Sequence, residues 1–230
     1  AVSGAGDVNG DGFDDLMVSS AHASPNGMAL AGESYVIFGA KLVVGGETYL
    51  GGTGNDTLTG TATAEVFIGG QGDDTIIGNG GKDAFSGGAG DDTIHLGAPG
   101  QSAMDFIHIN GGSGFDTLAL DGSGVTLDFT ASGADRVNGI ERIDLTGNGN
   151  NRLVLDIRDV LNISDSSNRL FVMGNAGDSV VSAGQGWALS SSGPVTDHGH
   201  TFDSYTLNGA AYTQGMANLL IEHPLTVLVS

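Results

Sequence analysis

Apolar residues recur every nine positions across residues 51–95 and again at 111–119, and each follows an acidic residue by two positions. In nine-residue blocks that start at Gly51, the acidic residue is sixth and the apolar residue is eighth. The acidic residues are Asp56, Glu65, Asp74, Asp83, Asp92 and Asp116, and the apolar residues are Leu58, Phe67, Ile76, Phe85, Ile94 and Leu118. Because residues two apart in a strand share a face, each block predicts a turn that ends at the carboxylate and a short strand that points its apolar side chain inward.

Two such blocks make one coil if residues 18 apart stack on each other. Leu58, Ile76 and Ile94 then form an aliphatic row, and Phe67 and Phe85 form an aromatic row. The separation of the two side-chain types supports this coil length. After His95 the pattern breaks, and it is predicted to resume with Asp105 in the acidic position and Ile107 in the apolar position.

The first half of each block is rich in glycine, which can turn through positive φ and bring backbone carbonyls close to an ion. The blocks GGTGNDTLT, GGQGDDTII and GGAGDDTIH resemble the RTX (repeats-in-toxin) nonapeptide GGxGxDxUx. The resemblance implies an all-β fold, a right-handed parallel β-roll or β-solenoid with Ca²⁺ ions between stacked turns. It also implies ion ligands from backbone carbonyls and sixth-position carboxylates. The candidate ligands carried onto this chain are Gly51, Thr53, Asp56, Gly69, Gly70, Gln71, Gly72, Asp74, Gly78, Gly80, Asp83, Gly87, Gly88, Gly90, Asp92, Asp116 and Asp178.

The two sides of this predicted roll differ. The loops 51–56, 69–74 and 87–92 stack on one side and define the two strongest sites. On the other side the block GTATAEVFI lacks two glycines and has Glu65 in place of Asp, so the loop 78–83 is expected to be only partly filled. Asp178 belongs to GNAGDSVV, a weaker echo of the repeat. A flexible Gly/Asp-rich linker is the alternative, but a linker would not keep an apolar residue at every eighth position.

Residues 5–16, AGDVNGDGFDDL, form a second candidate calcium loop. Its oxygen ligands are Asp7, Asn9, Asp11, Asp15 and the carbonyl of Phe13. The loop departs from an EF-hand because a strand-like LMVSS follows it. Residues 1–40 instead resemble one FG-GAP repeat, the blade unit of β-propellers. Since propellers need several blades, we expect a fragment of a longer protein, or a blade that packs on the roll or on another chain.

Composition narrows the classes of partner. The chain has 27 acidic and 7 basic residues, a formal net charge of −20, and no cysteine. This balance excludes the basic patch of a nucleic-acid-binding protein and favours a cationic partner, with calcium ions the natural candidate. The lack of cysteine excludes disulfides and thiolate zinc sites. No apolar run has the length of a transmembrane segment, and the first residues do not resemble a signal peptide.

Beyond residue 120, β-rich segments alternate with Asn/Gly/Ser turns, which predicts a longer-coiled solenoid extension and a cap. DIRDVLNIS, residues 156–164, is predicted to form a short helical turn. The region resembles the C-terminal part of large bacterial RTX and FG-GAP proteins exported by type I secretion. The expected organisation is an FG-GAP-like unit at 1–40, a linker at 41–50, the roll at 51–119, and an extension with a secretion signal at 120–230.

No set of catalytic residues converges in the sequence. HExxH and GxSxG are missing, and the DHGH segment (Asp197, His198, His200) lacks a third zinc ligand. We therefore expect no enzyme, but a calcium-folded structural or adhesive module of a secreted, extracellular or cell-surface protein. Its partners would be calcium ions, the type I secretion machinery, and surface ligands. The alternatives are the non-catalytic tail of a secreted hydrolase or lyase, and a subunit of a self-assembling fibre.

Overall fold

A computed structural model of the chain describes residues 2–6, 15–20, 33–37, 46–96, 105–130, 136–164, 166–182, 184–197, 199–213, 216–223 and 225–229. The chain divides into two compact units, Ala1–Val44 and Gly45–Ser230. The described residues are mostly β-strand and contain one short helix, and no helix among them combines the length and apolar character needed to cross a membrane.

The first unit contains three antiparallel strands in the order β1-β2-β3, which are Val2–Gly6, Asp15–Ser20 and Glu33–Ile37. The strand predicted from LMVSS is therefore confirmed as β2. Asp15 begins β2 and lies opposite Gly6 in the register. The other candidate ligands of this unit, Asp7, Asn9, Asp11 and Phe13, lie outside the described residues.

The second unit begins with short strands that alternate between two sheets. In chain order they are β4 (Thr48–Leu50), β5 (Thr57–Thr59), β6 (Val66–Gln71), β7 (Thr75–Ile77), β8 (Asp83–Ala89), β9 (Thr93–Leu96), β10 (Phe106–Ser113) and β11 (Thr117–Leu120). The even-numbered strands pair in parallel in one sheet, and the odd-numbered strands pair in parallel in the other. Each coil of the chain thus contributes one strand to each sheet.

The predicted 18-residue coil is confirmed by the strand register. Leu58 pairs with Ile76 and Ile76 with Ile94, while Phe67 pairs with Phe85. Phe67, Ile76 and Ile94 have no exposed surface. The aromatic rings stack nearly face to face, with centroids 5.2 Å apart for Phe67 and Phe85. These rows form the interior between the two sheets.

Two expectations about the ends of the repeat are wrong. Thr48–Leu50, assigned to a linker, forms β4 and pairs with β6, so the coils begin earlier than the glycine-rich blocks. Ile107 does not continue the aromatic row. Ile109 pairs with Phe85 and is fully buried, because a register shift between Phe106 and His108 moves the alternation of side chains by one position.

The coils continue to the C-terminus with longer connections. The remaining strands are β12 (Thr126–Asp128), β13 (Val137–Asn138), β14 (Arg142–Asp144), β15 (Arg152–Val154), β16 (Arg169–Met173), β17 (Ser179–Ser182), β18 (Trp187–Leu189), β19 (Val195–Asp197), β20 (His200–Leu207), β21 (Asn218–Glu222) and β22 (Thr226–Val229). Strands β12, β15, β17 and β22 form a third, parallel sheet. The sheet that contains β5, β7, β9 and β11 continues through β14, β16 and β21. Strands β18, β19 and β20 are added beyond β21 by antiparallel pairing, so this sheet is mixed. The predicted extension of the solenoid is therefore observed as continued parallel pairing.

The predicted helical turn is confirmed as α1, Ile157–Ile163. Asp156 caps its N-terminus, and its Oδ1 accepts hydrogen bonds from the N–H groups of Arg158 and Asp159. The Asp159 carboxylate accepts the N–H of Asp156 in return, which completes a capping box. Val160 and Ile163 are fully buried and anchor the helix on the core.

Candidate metal centre

The carboxylates on one side of the coils form a continuous hydrogen-bonded ladder. The N–H of Asp56 donates to Oδ1 of Asp74, that of Asp74 to Oδ1 of Asp92, and that of Asp92 to Oδ1 of Asp116, each at 2.8 Å. The N–H of Asp116 donates to Oε2 of Glu141 at 3.0 Å. We call these five residues the acidic column. Each bond joins a carboxylate to the neighbouring coil and fixes the orientation of its second oxygen.

Three of those second oxygens are buried without a hydrogen bond. In the described part of the chain, Oδ2 of Asp74, Asp92 and Asp116 has no hydrogen-bond partner, and the residues are at most 1 % exposed. Within the same ranges, no lysine or arginine forms an ion pair with them. Burying an ionised carboxylate without a partner is costly, so these positions require a compensating cation or a proton.

Backbone carbonyls converge on the same oxygens across glycine positions. A Cβ built on Gly69 would lie within 3.0 Å of both Oδ2 of Asp74 and the carbonyl oxygen of Gly87. A Cβ on Gly87 would meet Oδ2 of Asp92 and the carbonyl oxygen of Gly111 in the same way. Glycine therefore leaves a small space in which a carboxylate oxygen and a carbonyl oxygen of the next turn face each other.

Some glycines of these turns are also required by backbone conformation. Gly70, Gly72, Gly88 and Gly90 have φ between 105° and 128°, in the region that L-residues rarely adopt. Gly70 is equivalent to Gly88 in the next turn, and Gly72 is equivalent to Gly90. The backbone reversal and the open space beside each carboxylate thus come from the same glycine-rich segments.

Burial dominates the electrostatics of the column. It raises the pKa of Asp92 to about 6, and the N–H of Asp74 only partly opposes this shift. Burial raises the pKa of Asp116 to about 7, with the carboxylates of Asp92 and Glu141 adding to the increase. Without a cation, Asp116 therefore takes up a proton near pH 7 and Asp92 near pH 6.

The donor set fits a hard cation such as Ca²⁺. All available donors are carboxylate and carbonyl oxygens, which calcium prefers, and the column contains no imidazole or thiolate. The described residues contain no group of three or more His, Cys, Asp or Glu side chains that could hold a metal ion. Ion binding at the column would consequently depend on carbonyl groups as much as on carboxylates.

The opposite side of the coils is arranged differently. The Glu65 carboxylate accepts hydrogen bonds from the hydroxyls of Thr61 and Thr63 and from the N–H of Thr61. Its N–H donates to Oδ1 of Asp83 at 3.0 Å, which repeats the ladder bond on this side. Burial raises the pKa of Asp83 to about 7. The hydroxyls of this turn thus satisfy Glu65 without a metal ion.

Asp178 lies in a third set of turns, where both its oxygens are hydrogen-bonded. Its Oδ1 accepts the N–H of Asn151 and its Oδ2 accepts the N–H of Asn175, each at 2.6 Å. Oδ1 of Asn151 in turn accepts the N–H of Val125. The hydrogen bond from a backbone N–H to a side-chain oxygen of the next coil is preserved here, but at one step the side-chain amide of Asn151 takes the place of a carboxylate.

The structure places the remaining predicted ligands in the stacked turns on the two sides of the coils. Thr53 and Gln71 are exposed, and the N–H of Gln71 donates to the carbonyl of Gly52. The glycines of the predicted set in these turns are Gly51, Gly69, Gly70, Gly72, Gly78, Gly80, Gly87, Gly88 and Gly90. Asp56 differs from the next three carboxylates, because its Oδ2 accepts the N–H of Gly52.

Sequence reasoning missed Glu141 and Asn151. Each precedes a fully buried apolar residue by two positions, Ile143 and Leu153, which is the spacing of the nonapeptide. That spacing was the available signal. It was obscured because the glycine-rich half of the block is altered before both residues.

The Asp197 and His200 positions of DHGH face each other across the β19–β20 hairpin, and His198 lies outside the described residues. Nδ1 of His200 contacts the Glu222 carboxylate. Asp197 forms an ion pair with Arg142 at 3.5 Å. These side chains thus have partners on β21 and β14.

Comparison with protein families agrees with this geometry. The family model described as RTX calcium-binding nonapeptide repeat (4 copies) matches residues 44–62 and 59–94, and the FG-GAP repeat model matches residues 1–37. No curated protein and no solved structure matches the chain significantly. Residues 44–94 therefore carry RTX calcium-binding nonapeptide repeats, and residues 1–37 carry an FG-GAP repeat.

Proposed function

We propose that the chain is a non-catalytic, calcium-folded structural module of a secreted protein. In this proposal residues 51–119 form a right-handed parallel β-roll that holds several Ca²⁺ ions, residues 1–40 form an FG-GAP calcium unit, and residues 120–230 form a solenoid extension with an export signal. The observation that carries the proposal is the set of buried, unbonded Oδ2 atoms in the acidic column.

The strongest ion positions follow from those atoms. One lies between the turns 69–74 and 87–92, where Oδ2 of Asp74 faces the carbonyl of Gly87. The next lies between the turns 87–92 and 111–116, where Oδ2 of Asp92 faces the carbonyl of Gly111. The turn 51–56 is a weaker contributor, because the Gly52 N–H already occupies Oδ2 of Asp56.

Calcium supplies the positive charge that this fold lacks. The chain carries a formal charge of −20, and the column buries Asp74, Asp92, Asp116 and Glu141 in a row. Like-charge repulsion opposes their stacking, and a cation that binds only the folded state removes that opposition. Each site would stabilise the fold by about 2.7 kcal/mol when free calcium is 100 times its dissociation constant.

Far-UV circular dichroism of the full chain tests the proposal. In EDTA we expect the β-structure of residues 46–120 to be largely lost, and in millimolar Ca²⁺ we expect it to form. Magnesium at the same concentration is the matched control, because Mg²⁺ requires a stricter octahedral geometry and should induce less structure. A β spectrum in EDTA that calcium leaves unchanged would contradict the proposal.

The calcium requirement supports an extracellular location, in which the module would serve an adhesive or scaffolding role. Extracellular calcium modules bind with dissociation constants of about 10⁻⁴–10⁻³ M, so such sites stay empty in the cytosol and fill outside. The chain has no cysteine, and bound calcium would replace disulfides as the cross-link between coils.

Export by a type I system is tested with a fusion to a slow-folding passenger. Removal of residues from Asn208 onward, which include β21 and β22, is expected to stop export. A fusion that lacks residues 51–95 but keeps the C-terminal segment is the control and should still leave the cell. Equal secretion of the truncated and intact fusions would place the signal elsewhere.

A further inference from the structure

The acidic column extends beyond the matched repeats. The RTX family model ends at residue 94, yet the ladder continues through Asp116 to Glu141. The segment that carries Glu141 follows β13 directly, and its sequence NGIERI is not a glycine-rich nonapeptide. The last step of the column therefore joins a repeat to a different kind of turn.

The oxygens at this last step are arranged like those of the repeat sites. A Cβ built on Gly111 would lie within 3.0 Å of both Oδ2 of Asp116 and the carbonyl oxygen of Gly139. This is the relationship that Gly87 has to Asp92 and Gly111 one coil earlier. The carbonyl of Gly139 thus takes the place that a repeat glycine fills elsewhere.

Asp116 requires a partner at this position. The residue has no exposed surface, and within the described ranges its Oδ2 has no hydrogen-bond partner. Its Oδ1 already accepts a hydrogen bond from the N–H of Asp92. A buried carboxylate oxygen that faces a carbonyl oxygen gains only from a cation or a proton between them.

Glu141 adds a second carboxylate at the same step and is held in place from two sides. Its Oε2 accepts the N–H of Asp116, and its Oε1 accepts the hydroxyl of Ser166 at 2.7 Å. The residue is 5 % exposed. In the following coil Arg142 pairs with Phe171, so the apolar Leu170 takes the column position and the column of carboxylates ends at Glu141.

We propose that a further calcium ion binds between the turn Gly111–Asp116 and the segment Gly139–Glu141, with Glu141 as the terminal carboxylate of the acidic column. The proposal rests on the proposed calcium-binding function and adds one site to it. The residues that would hold the ion are Asp116 through Oδ2 and Gly139 through its carbonyl, and the hydrogen-bonded Glu141 carboxylate would add negative charge beside them.

Calcium binding to the full chain, measured by isothermal titration calorimetry and equilibrium dialysis, tests this site. Glu141→Gln keeps an acceptor for the Asp116 N–H and a polar group for Ser166, but removes the charge. We expect one ion to be lost or to bind about tenfold more weakly, with the others retained. Glu47→Gln, the same change at an exposed residue before the first coil strand, is expected to bind like the wild type.

An unchanged number of ions with unchanged affinity in Glu141→Gln would overturn the proposal while leaving the repeat sites intact. A wild-type chain that binds no calcium would overturn the proposed function as well. If Glu141→Gln does not fold in saturating calcium, Ser166→Ala is used in its place. This change keeps the carboxylates of Asp116 and Glu141 and removes only the hydrogen bond from the Ser166 hydroxyl to Oε1 of Glu141. It is expected to weaken one ion about tenfold, and a wild-type isotherm would reject the site.

Discussion

The backbone N–H of Asp74 donates a 2.8 Å hydrogen bond to Oδ1 of Asp92, which lies 18 residues later. This bond orients the Asp92 carboxylate so that its Oδ2 faces Gly87 and the carbonyl of Gly111. Each potential ion position is therefore shaped by the coil before it and the coil after it. Calcium binding along the column should consequently be cooperative.

Asp74→Asn is expected to raise the calcium midpoint of folding by about tenfold, because it removes the charge beside an unbonded oxygen. Asp178→Asn is the matched control. Asp178 is equally buried, but both its oxygens accept backbone N–H groups. It should lower stability with and without calcium while leaving the midpoint nearly unchanged. Calcium titrations followed by circular dichroism measure both midpoints, and equal midpoints would count against the acidic column as the ion site.

Gly87→Ala is expected to abolish one calcium ion, since its methyl group would occupy the space between Oδ2 of Asp92 and the carbonyl of Gly111. Gly54→Ala is the matched change in a turn where a Cβ meets nothing within 4 Å. Its effect on stability should stay within about 1 kcal/mol. Ion counts from equilibrium dialysis distinguish the two, and full occupancy in Gly87→Ala would show that this space holds no ion.

Calcium binding should release protons at pH 6.5 and weaken as the pH falls. Burial raises the pKa of Asp116 from 3.8 to about 7 and that of Asp92 to about 6. Because both pKa values are higher in the folded chain than the ordinary aspartate value of 3.8, protonation stabilises the ion-free fold fully below pH 3.8. This stabilisation is lost as the pH rises through 6 to 7. Calorimetry at pH 6.5 in two buffers of different ionisation enthalpy measures the release. Identical heats in both buffers would show that the carboxyls are already ionised.

Phe67→Ala is expected to destabilise the calcium-loaded chain by about 3–5 kcal/mol, because it deletes a fully buried ring. The ring stacks between Tyr49 and Phe85, with centroid distances of 5.0 and 5.2 Å. Leu50→Ala provides the comparison, as this side chain on the neighbouring strand is 67 % exposed. Its cost should be below about 0.5 kcal/mol. Urea unfolding in saturating calcium gives both values, and a small cost for Phe67→Ala would contradict the interior aromatic row.

The sequence alone determined the features that depend on local spacing. Consecutive blocks have the same length of nine residues, so the repeat specified the 18-residue register and the row of Leu58, Ile76 and Ile94. It also predicted the column carboxylates Asp56, Asp74, Asp92 and Asp116, because each one ends its turn two residues before an inward-facing apolar side chain. The helix at 157–163 was predictable for the same reason, since its capping residues are adjacent in sequence.

The tertiary structure decided the features that depend on which coil lies next to which. Phe85 is paired with Ile109 rather than Ile107 through a register shift that only the pairing of β10 with β8 reveals. Glu141 joins the column although it lies 25 residues beyond Asp116, because coil length there is no longer constant. Thr61 and Thr63 satisfy Glu65 through side-chain contacts that no repeat pattern encodes. Local periodicity specifies a repeating backbone, whereas the partner of each buried oxygen is set by the packing of neighbouring coils.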